Sequence, residues 1–243
     1  MPAAARPAGR VDTGQGKSAD CPGMATNVHG RRRPHVSLLL SWGVLAVFTG
    51  IFLRRGNLEF LLYAATLTVL IALVQHGDRH FDYPAGVKWS FLAWLVMHMC
   101  GGHVHLGGTR LYDVILLPLA GAPYHILRYD QFVHLFCYLM IGGLLRAPVE
   151  RLAAPGAPSV LLRLLVLLAA LGVGALNEIV EFAAVVLFRA AGVGDYWNNA
   201  LDNVFNALGA MAAVLVWPPR GGRSQSGGGA GSRSWSFWLR PMM

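Results

Sequence analysis

The chain has 243 residues, of which 55% are hydrophobic and 13% charged, with a mean hydropathy of +0.47. A soluble domain carries about 25% charged residues, so the composition excludes a soluble globular fold, and the long uncharged runs assign a polytopic α-helical membrane protein. The formal charge of +8 does not argue for nucleic acid as a partner, because the arginines fall in tails and in short loops between apolar runs, as membrane-topology signals do. Cys21, Cys100 and Cys137 are scattered without disulfide or metal-ligand spacing, which excludes a disulfide scaffold. Lysine occurs only at Lys17 and Lys88 against eighteen arginines, a codon bias that points to a GC-rich bacterial genome.

Residues 1–34 are rich in Ala, Pro, Gly and Arg without apolar periodicity and read as a disordered basic tail, with Met24 an alternative start. Arg31-Arg32-Arg33 before the run Val36–Leu53 has the shape of a signal peptide. No small-x-small cleavage site precedes Arg54 and further spans follow, so the run is expected to remain as the first membrane helix. Hydropathy predicts six spans, at about 36–53, 58–75, 87–106, 131–146, 160–188 and 200–217, within a transmembrane bundle over 35–218. A Gly/Ser/Arg-rich tail, 219–243, is expected to be disordered and carries an aromatic patch at Trp235, Phe237 and Trp238. Trp42, Trp89, Trp197 and Trp217 lie near span ends, as interfacial aromatics do.

Two spans are irregular. The third has a twelve-residue apolar core, Trp89–Cys100, which rises roughly 18 Å against a hydrocarbon layer of ~30 Å, before GGHVHLGG is expected to break it. Leu111–Ile126, with Pro118 and Pro123, is expected at the outer interface or as a re-entrant stretch. The fifth span, at up to 29 residues, is expected to tilt or to break near Gly172 and Gly174. With the N-terminus inside, the cytoplasmic segments carry Arg31, Arg32, Arg33, Arg79, Lys88, Arg146, Arg151, Arg163, Arg220 and Arg223. The outer ones carry Arg54, Arg55, Arg110, Arg128 and Arg189. That bias predicts both termini in the cytoplasm.

Acidic residues inside apolar runs point to function. Of only 12 acidic residues, Glu178 and Glu181 interrupt the fifth span and Asp202 opens the sixth. A carboxylate at the centre of a membrane helix costs about 2.5–3.5 kcal/mol on insertion scales and normally faces a partner or a water-filled cavity. Asp130 and His134 are four residues apart on one face of the fourth helix, where the aspartate can orient the imidazole. Glu178 and Glu181 share a face of the fifth, with Asn177 beside them. Asn199, Asp202, Asn203 and Asn206 form a stripe on the sixth that continues as Gly209, Ala210 and Ala213, small residues of the kind that let membrane helices approach closely. At ~1.5 Å per residue, His134, Glu181 and Asp202 fall at matching depth, which predicts one polar site opening outward.

Each element also has a plainer reading. Asp130 alone is a natural helix N-cap, Asn199 and Asn203 can serve as interhelical glue, and a lone intramembrane histidine is commonly a packing residue. His98, His103 and His105 form a loop cluster that could bind metal but more often is simply solvated; cofactor and metal dependence are not legible. Cys137 completes an Asp–His–Cys stripe without the electropositive setting a thiolate needs, so nucleophilic catalysis is not supported.

The order RYDQFVHLFCYLMIGG, NEIVEF, DYWNNALDNVFNALGA resembles the YjdF-type inner-membrane proteins, distant relatives of the VanZ-like family. MHMCGGHVHLGGTRLYD resembles the upstream His-Gly-Gly…Tyr stretch of the same group. The resemblance covers about residues 58–217 and implies a multi-pass protein of the bacterial cytoplasmic (inner) membrane. It marks Asp130, His134, Glu178, Asp202, Asn206 and Gly209 as family polar or packing positions. Asn199 departs from the pattern, and the tails match nothing. VanZ's association with glycopeptide resistance implies, by analogy, an envelope lipid or precursor as ligand.

The sequence therefore predicts an all-α polytopic bundle of about six transmembrane helices in the lipid bilayer, both termini inside. Its site would have His134, Glu178, Glu181 and Asp202 as chemical groups, and Asp130, Asn199, Asn203 and Asn206 as ligand-positioning groups. The leading function is binding or processing of an envelope lipid or its headgroup; a proton-coupled transporter and a non-catalytic assembly protein are the alternatives. Oligomeric state is not legible.

Overall fold

The computed structural model describes residues 34–56, 58–122, 124–188 and 196–217, except for the side chains of 58–61 and 188. The predicted tails (Pro34 apart), the aromatic patch and Arg189 lie outside the described residues. Six helices form among those described: α1 Val36–Arg55, α2 Leu58–Phe81, α3 Ala85–His103, α4 Tyr129–Leu152, α5 Ser159–Phe188 and α6 Tyr196–Val216. Four of them, α1, α4, α5 and α6, are long and apolar enough to cross a membrane by length and composition. Helix α4 is the hub: α3, α5 and above all α6 pack on it, while α1 packs on α2 and α3.

The all-α expectation needs one correction, between α3 and α4. Strands β1 (His105–Leu106) and β2 (Thr109–Arg110) pair antiparallel, and β3 (Ile115–Ala120) pairs antiparallel with β4 (Ile126–Arg128). Gly107 and Gly108 have φ of 58° and 85°. Two successive positive φ values make the tight two-residue hairpin turn that matches strand twist, and glycine adopts them without a Cβ penalty. Pro118 sits where the β3–β4 register slips between Ile115 and Ala120, a place where a residue without an N–H is tolerated. Ile115, Leu116, Leu117 and Leu119 of β3 are all exposed.

Glycines bear on two other expectations: the GGHVHLGG stretch ends the third helix, but only after His103, and of a tilt or a break in the fifth span the break is absent. Gly101 and Gly102 do not break the third helix, which runs on to His103; its 19 residues rise about 28 Å. The Cβ that Gly101 lacks would fall 2.3 Å from the Tyr112 ring, so the glycine makes room for that tyrosine. The Tyr112 hydroxyl donates to the His98 carbonyl and meets His98 Nδ1, both at 2.8 Å. Likewise α5 is continuous through Gly172 and Gly174. Gly174 accommodates the Tyr138 ring, 3.3 Å from its absent Cβ, whereas a Cβ on Gly172 would meet no neighbouring element within 4 Å among the described residues. Glycine lowers helix propensity by only about 1 kcal/mol, which tertiary packing overrides.

At the end where α4 finishes, Lys88 is not a free loop cation: its Nζ lies 3.0 Å from Asp78 Oδ1, with both side chains largely buried. Asp78 Oδ1 also accepts from the Tyr83 backbone N–H at 3.0 Å, and Arg151 donates to the His80 carbonyl at 2.6 Å. These bonds tie the α2–α3 turn to the end of α4.

The α4–α6 contact is the closest. A Cβ on Gly209 would lie 2.1 Å from the Leu135 carbonyl oxygen and 3.0 Å from the Leu139 nitrogen, and one on Gly142 would lie 2.3 Å from the Ala213 Cβ. Two helix backbones touch here, as small residues at both positions allow. Because the obstacles at Gly209 are backbone atoms, Gly209→Ala must push the helices apart and is expected to cost about 1–3 kcal/mol. Gly172→Ala, facing open space, should leave stability unchanged or raise it by up to about 1 kcal/mol. Thermal unfolding of the two variants in detergent, followed by size-exclusion profile, checks the contrast.

Candidate functional site

The site is assembled at the start of α4, and the chain spends backbone strain to reach it. His125 and Leu127, neither a glycine, sit at φ of 44° and 71°, left-handed conformations that cost roughly 1–3 kcal/mol each. Wholly buried Gln131 compensates: its Oε1 accepts from the backbone N–H of Leu127 at 2.6 Å and of Arg128 at 3.1 Å. Arg128, not Asp130, is therefore the N-cap of α4. Asp130 lies in the first turn, where the helix dipole favours a negative charge, and its carboxylate turns inward.

From there one hydrogen-bonded network crosses three helices. The imidazole of His134 uses both nitrogens: Nδ1 lies 2.9 Å from Asn206 Oδ1 on α6, and Nε2 lies 3.7 Å from Asp130 Oδ1 one turn back on α4. Asn206 Nδ2 donates to Glu178 Oε1 on α5 at 3.3 Å. Asn199 donates to the other oxygen, Glu178 Oε2. At the first turn of α6, Asn198 Nδ2 serves two acids at once, donating to Asp130 Oδ2 at 3.2 Å and Asp202 Oδ2 at 2.6 Å. Asn198 Oδ1 in turn accepts from Arg128 Nη1 at 3.4 Å.

The amide orientations follow from these bonds. Since Asn206 gives its Nδ2 to a carboxylate, its oxygen faces His134 and accepts the Nδ1 proton. The neutral imidazole then carries its lone pair on Nε2, on the Asp130 side. Asp202 and Asn206 are each 1% exposed, and Asp202 Oδ1 has no hydrogen-bond partner among the described residues. Asp130, His134 and Asp202 each offer a donor atom, and these atoms lie within 4.8 Å of one another.

Of the predicted site residues, Asp130, His134, Glu178, Asn199, Asp202 and Asn206 share this network. Glu181 does not bond across helices: its Oε1 accepts from Asn177 of its own helix at 2.8 Å. Asn203 is exposed and donates to the Asn199 carbonyl at 3.0 Å. Sequence reasoning passed over Asn198, Arg128 and Gln131. The signal for Asn198 was present, since it stands four residues before Asp202 and one turn of helix places the two side by side. The three-histidine cluster disperses. His98 stacks on Trp94, His103 meets the edges of Phe48 and Phe52, and exposed His105 bonds the His103 carbonyl. On α3, His98 and His103 are five residues apart and so point to different faces. Cys137 belongs to the apolar core.

Asn206 is the junction, bonded to a different helix at each end of its amide. Asn206→Ala should leave a ring nitrogen and one carboxylate oxygen, Glu178 Oε1, unpaired, at about 1–3 kcal/mol for each, and a His134→Ala/Asn206→Ala double-mutant cycle should show a coupling of about 0.5–3 kcal/mol. Asn203→Ala should stay within about 0.5 kcal/mol. Thermal unfolding of the four variants in detergent measures all of this.

No curated protein and no solved structure matches the chain. Residues 35–219 match the family described as predicted membrane protein (DUF2238), a stretch that takes in every helix and every residue of the network. The chain is a member of the DUF2238 family of predicted membrane proteins.

Proposed function

We propose that the network at the starts of α4 and α6 binds the polar headgroup of a membrane lipid at the outer leaflet of the bacterial inner membrane. In this reading α2 and α3 cross the bilayer with the four longer helices and both termini are cytoplasmic. The observation that carries the reading is a buried polar network spanning α4, α5 and α6 inside a protein whose flanking surface is apolar. Around Glu178 and Glu181, Leu176, Ile179 and Phe182 are exposed on α5, as suits lipid contact, while the carboxylate of Glu178 turns inward to Asn199 and Asn206. Intramembrane acids that face a shared interior cavity are typically functional. The exposed apolar strand β3 fits the interface beside the site, since an open strand edge is not tolerated in lipid hydrocarbon. The finer resemblance, to YjdF-type and VanZ-like proteins, supports an envelope lipid.

Residue roles follow the geometry. Arg128, at the mouth, suits a phosphate or other anionic headgroup group. His134 Nε2 is the ring nitrogen left to exchange a proton or hold a ligand. Glu181, with Asn177 its bonded partner, stands beside the network as a second acid. Asn199 and Asn198 hold Glu178 and the two aspartates in place.

Lipid co-purification tests this reading. Wild-type protein from bacterial membranes should retain an anionic phospholipid through detergent exchange, detected by native mass spectrometry, and Arg128→Ala should cut that retention at least several-fold. Glu181→Gln, which preserves the shape and the acceptor for Asn177, should fold like wild type. Equal lipid retention by wild type and Arg128→Ala would contradict the headgroup reading. A phosphatase fused after Met243 should be inactive; activity there would place the site at the inner leaflet.

A further inference from the structure

Asp130, His134 and Asp202 each bring a donor atom within 4.8 Å of the other two. His134 presents the Nε2 lone pair once Nδ1 has given its proton to Asn206. Asp130 presents Oδ1 at 3.7 Å from that nitrogen. Asp202, 1% exposed, has one oxygen bound to Asn198 and the other, Oδ1, without a hydrogen-bond partner among the described residues. Lone pairs converging in a nearly water-free setting repel, and an unanswered buried carboxylate oxygen is costly. A proton on Nε2 does not resolve this. At 3.7 Å the Nε2–Asp130 pair is beyond the 2.7–3.2 Å range of an N–H···O bond, and a proton there leaves Asp202 Oδ1 unanswered. A cation with several coordination positions answers all three donors together.

We propose that Asp130, His134 and Asp202 bind a divalent first-row metal ion. The geometry suits one: donors bonded to a common ion at about 2.0–2.4 Å stand between about 3 and 4.8 Å apart, and one ligand atom from each of the three residues lies within 4.8 Å of the other two. The surrounding bonds are those that orient metal ligands. Asn206 fixes the imidazole through its second nitrogen, and one Asn198 amide fixes both aspartates through their second oxygens, as outer-shell partners of metal ligands do. One imidazole and two carboxylates without a thiolate select a borderline ion such as Mn²⁺ or Zn²⁺ over Cu(I), and the nitrogen donor disfavours Mg²⁺ and Ca²⁺. Three protein donors leave coordination positions open. On the reading of the site as a headgroup site, on which this part of the inference rests, those positions take a phosphate oxygen of the lipid beside Arg128.

The test uses the full chain in phosphatidylcholine nanodiscs, stripped with EDTA and titrated with Mn²⁺ followed by electron paramagnetic resonance, then with Zn²⁺ in competition. The expected result is one ion per chain. Asp202→Asn, which keeps side-chain shape, and His134→Ala should each weaken binding at least tenfold, and Asn198→Ala about 10–100-fold. Glu150→Gln, at the far end of α4, should bind as wild type. No stoichiometric ion in wild type, or equal affinity in Asp202→Asn with a native size-exclusion profile, overturns the proposal. Retention of phosphatidylglycerol by EDTA-stripped wild type, with no ion bound in the titration, ends the cation site and leaves the headgroup reading standing. Ion binding lost in Asp202→Asn, with phosphatidylglycerol retention unchanged in Arg128→Ala, supports the cation site and ends the headgroup reading.

Discussion

The backbone contact between α4 and α6 is the constraint on which the site depends. Gly209 stands where any Cβ would collide with the Leu135 carbonyl, and Leu135 follows His134 directly. Only at this separation can the short side chain of Asn206, three residues before Gly209, reach the His134 ring at 2.9 Å. The same approach sets the first turn of α6 beside Asp130, where Asn198 joins Asp130 to Asp202. A dispersion contact between small residues thus fixes the spacing of the polar groups. In a membrane, where apolar surfaces gain little by leaving lipid for each other, such packing and interhelical hydrogen bonds are the main sources of helix association.

The network also explains why the chain tolerates strain nearby. Left-handed His125 and Leu127 bring β4 directly into α4, so that Arg128 caps the helix and reaches Asn198. Gln131 meets the two backbone N–H groups that this turn leaves pointing inward. The opposite end of the bundle is tied differently, by the Asp78–Lys88 pair and the Arg151–His80 bond. One end is fastened by an ion pair of ordinary kind, whereas the other concentrates carboxylates and an imidazole.

Much of this was legible because membrane helices make periodicity and cost unusually plain. Asp130 with His134, and Asp202 with Asn206, are one turn apart in otherwise apolar runs, and the insertion cost of the acids made a shared polar interior the economical reading. The stripe Gly209, Ala210, Ala213 announced the close contact. Glycine in other settings was ambiguous: Gly101 reads as a break until Tyr112, eleven residues on, is seen to fill the space beside it. Periodicity also could not tell which of two acids bonds across to α6. Glu178 and Glu181 share a face by spacing, yet Glu178 meets α6 and Glu181 its own helix. Arg128 and Asn198 lie at helix starts, outside the apolar windows, where hydropathy carries no signal and only the approach of the two helices makes them partners.

The account turns on whether α6 presents Asn206 to His134. Solid-state NMR on the full chain in lipid bilayers, with ¹⁵N-histidine and ¹³C-asparagine labels assigned through His134 and Asn206 variants, measures that contact directly. The account predicts a strong dipolar coupling between the His134 ring and the Asn206 side chain, consistent with the 2.9 Å Nδ1–Oδ1 separation, and its loss in Gly209→Ala. A His134 ring without coupling to Asn206, and in contact with lipid acyl protons instead, would contradict it.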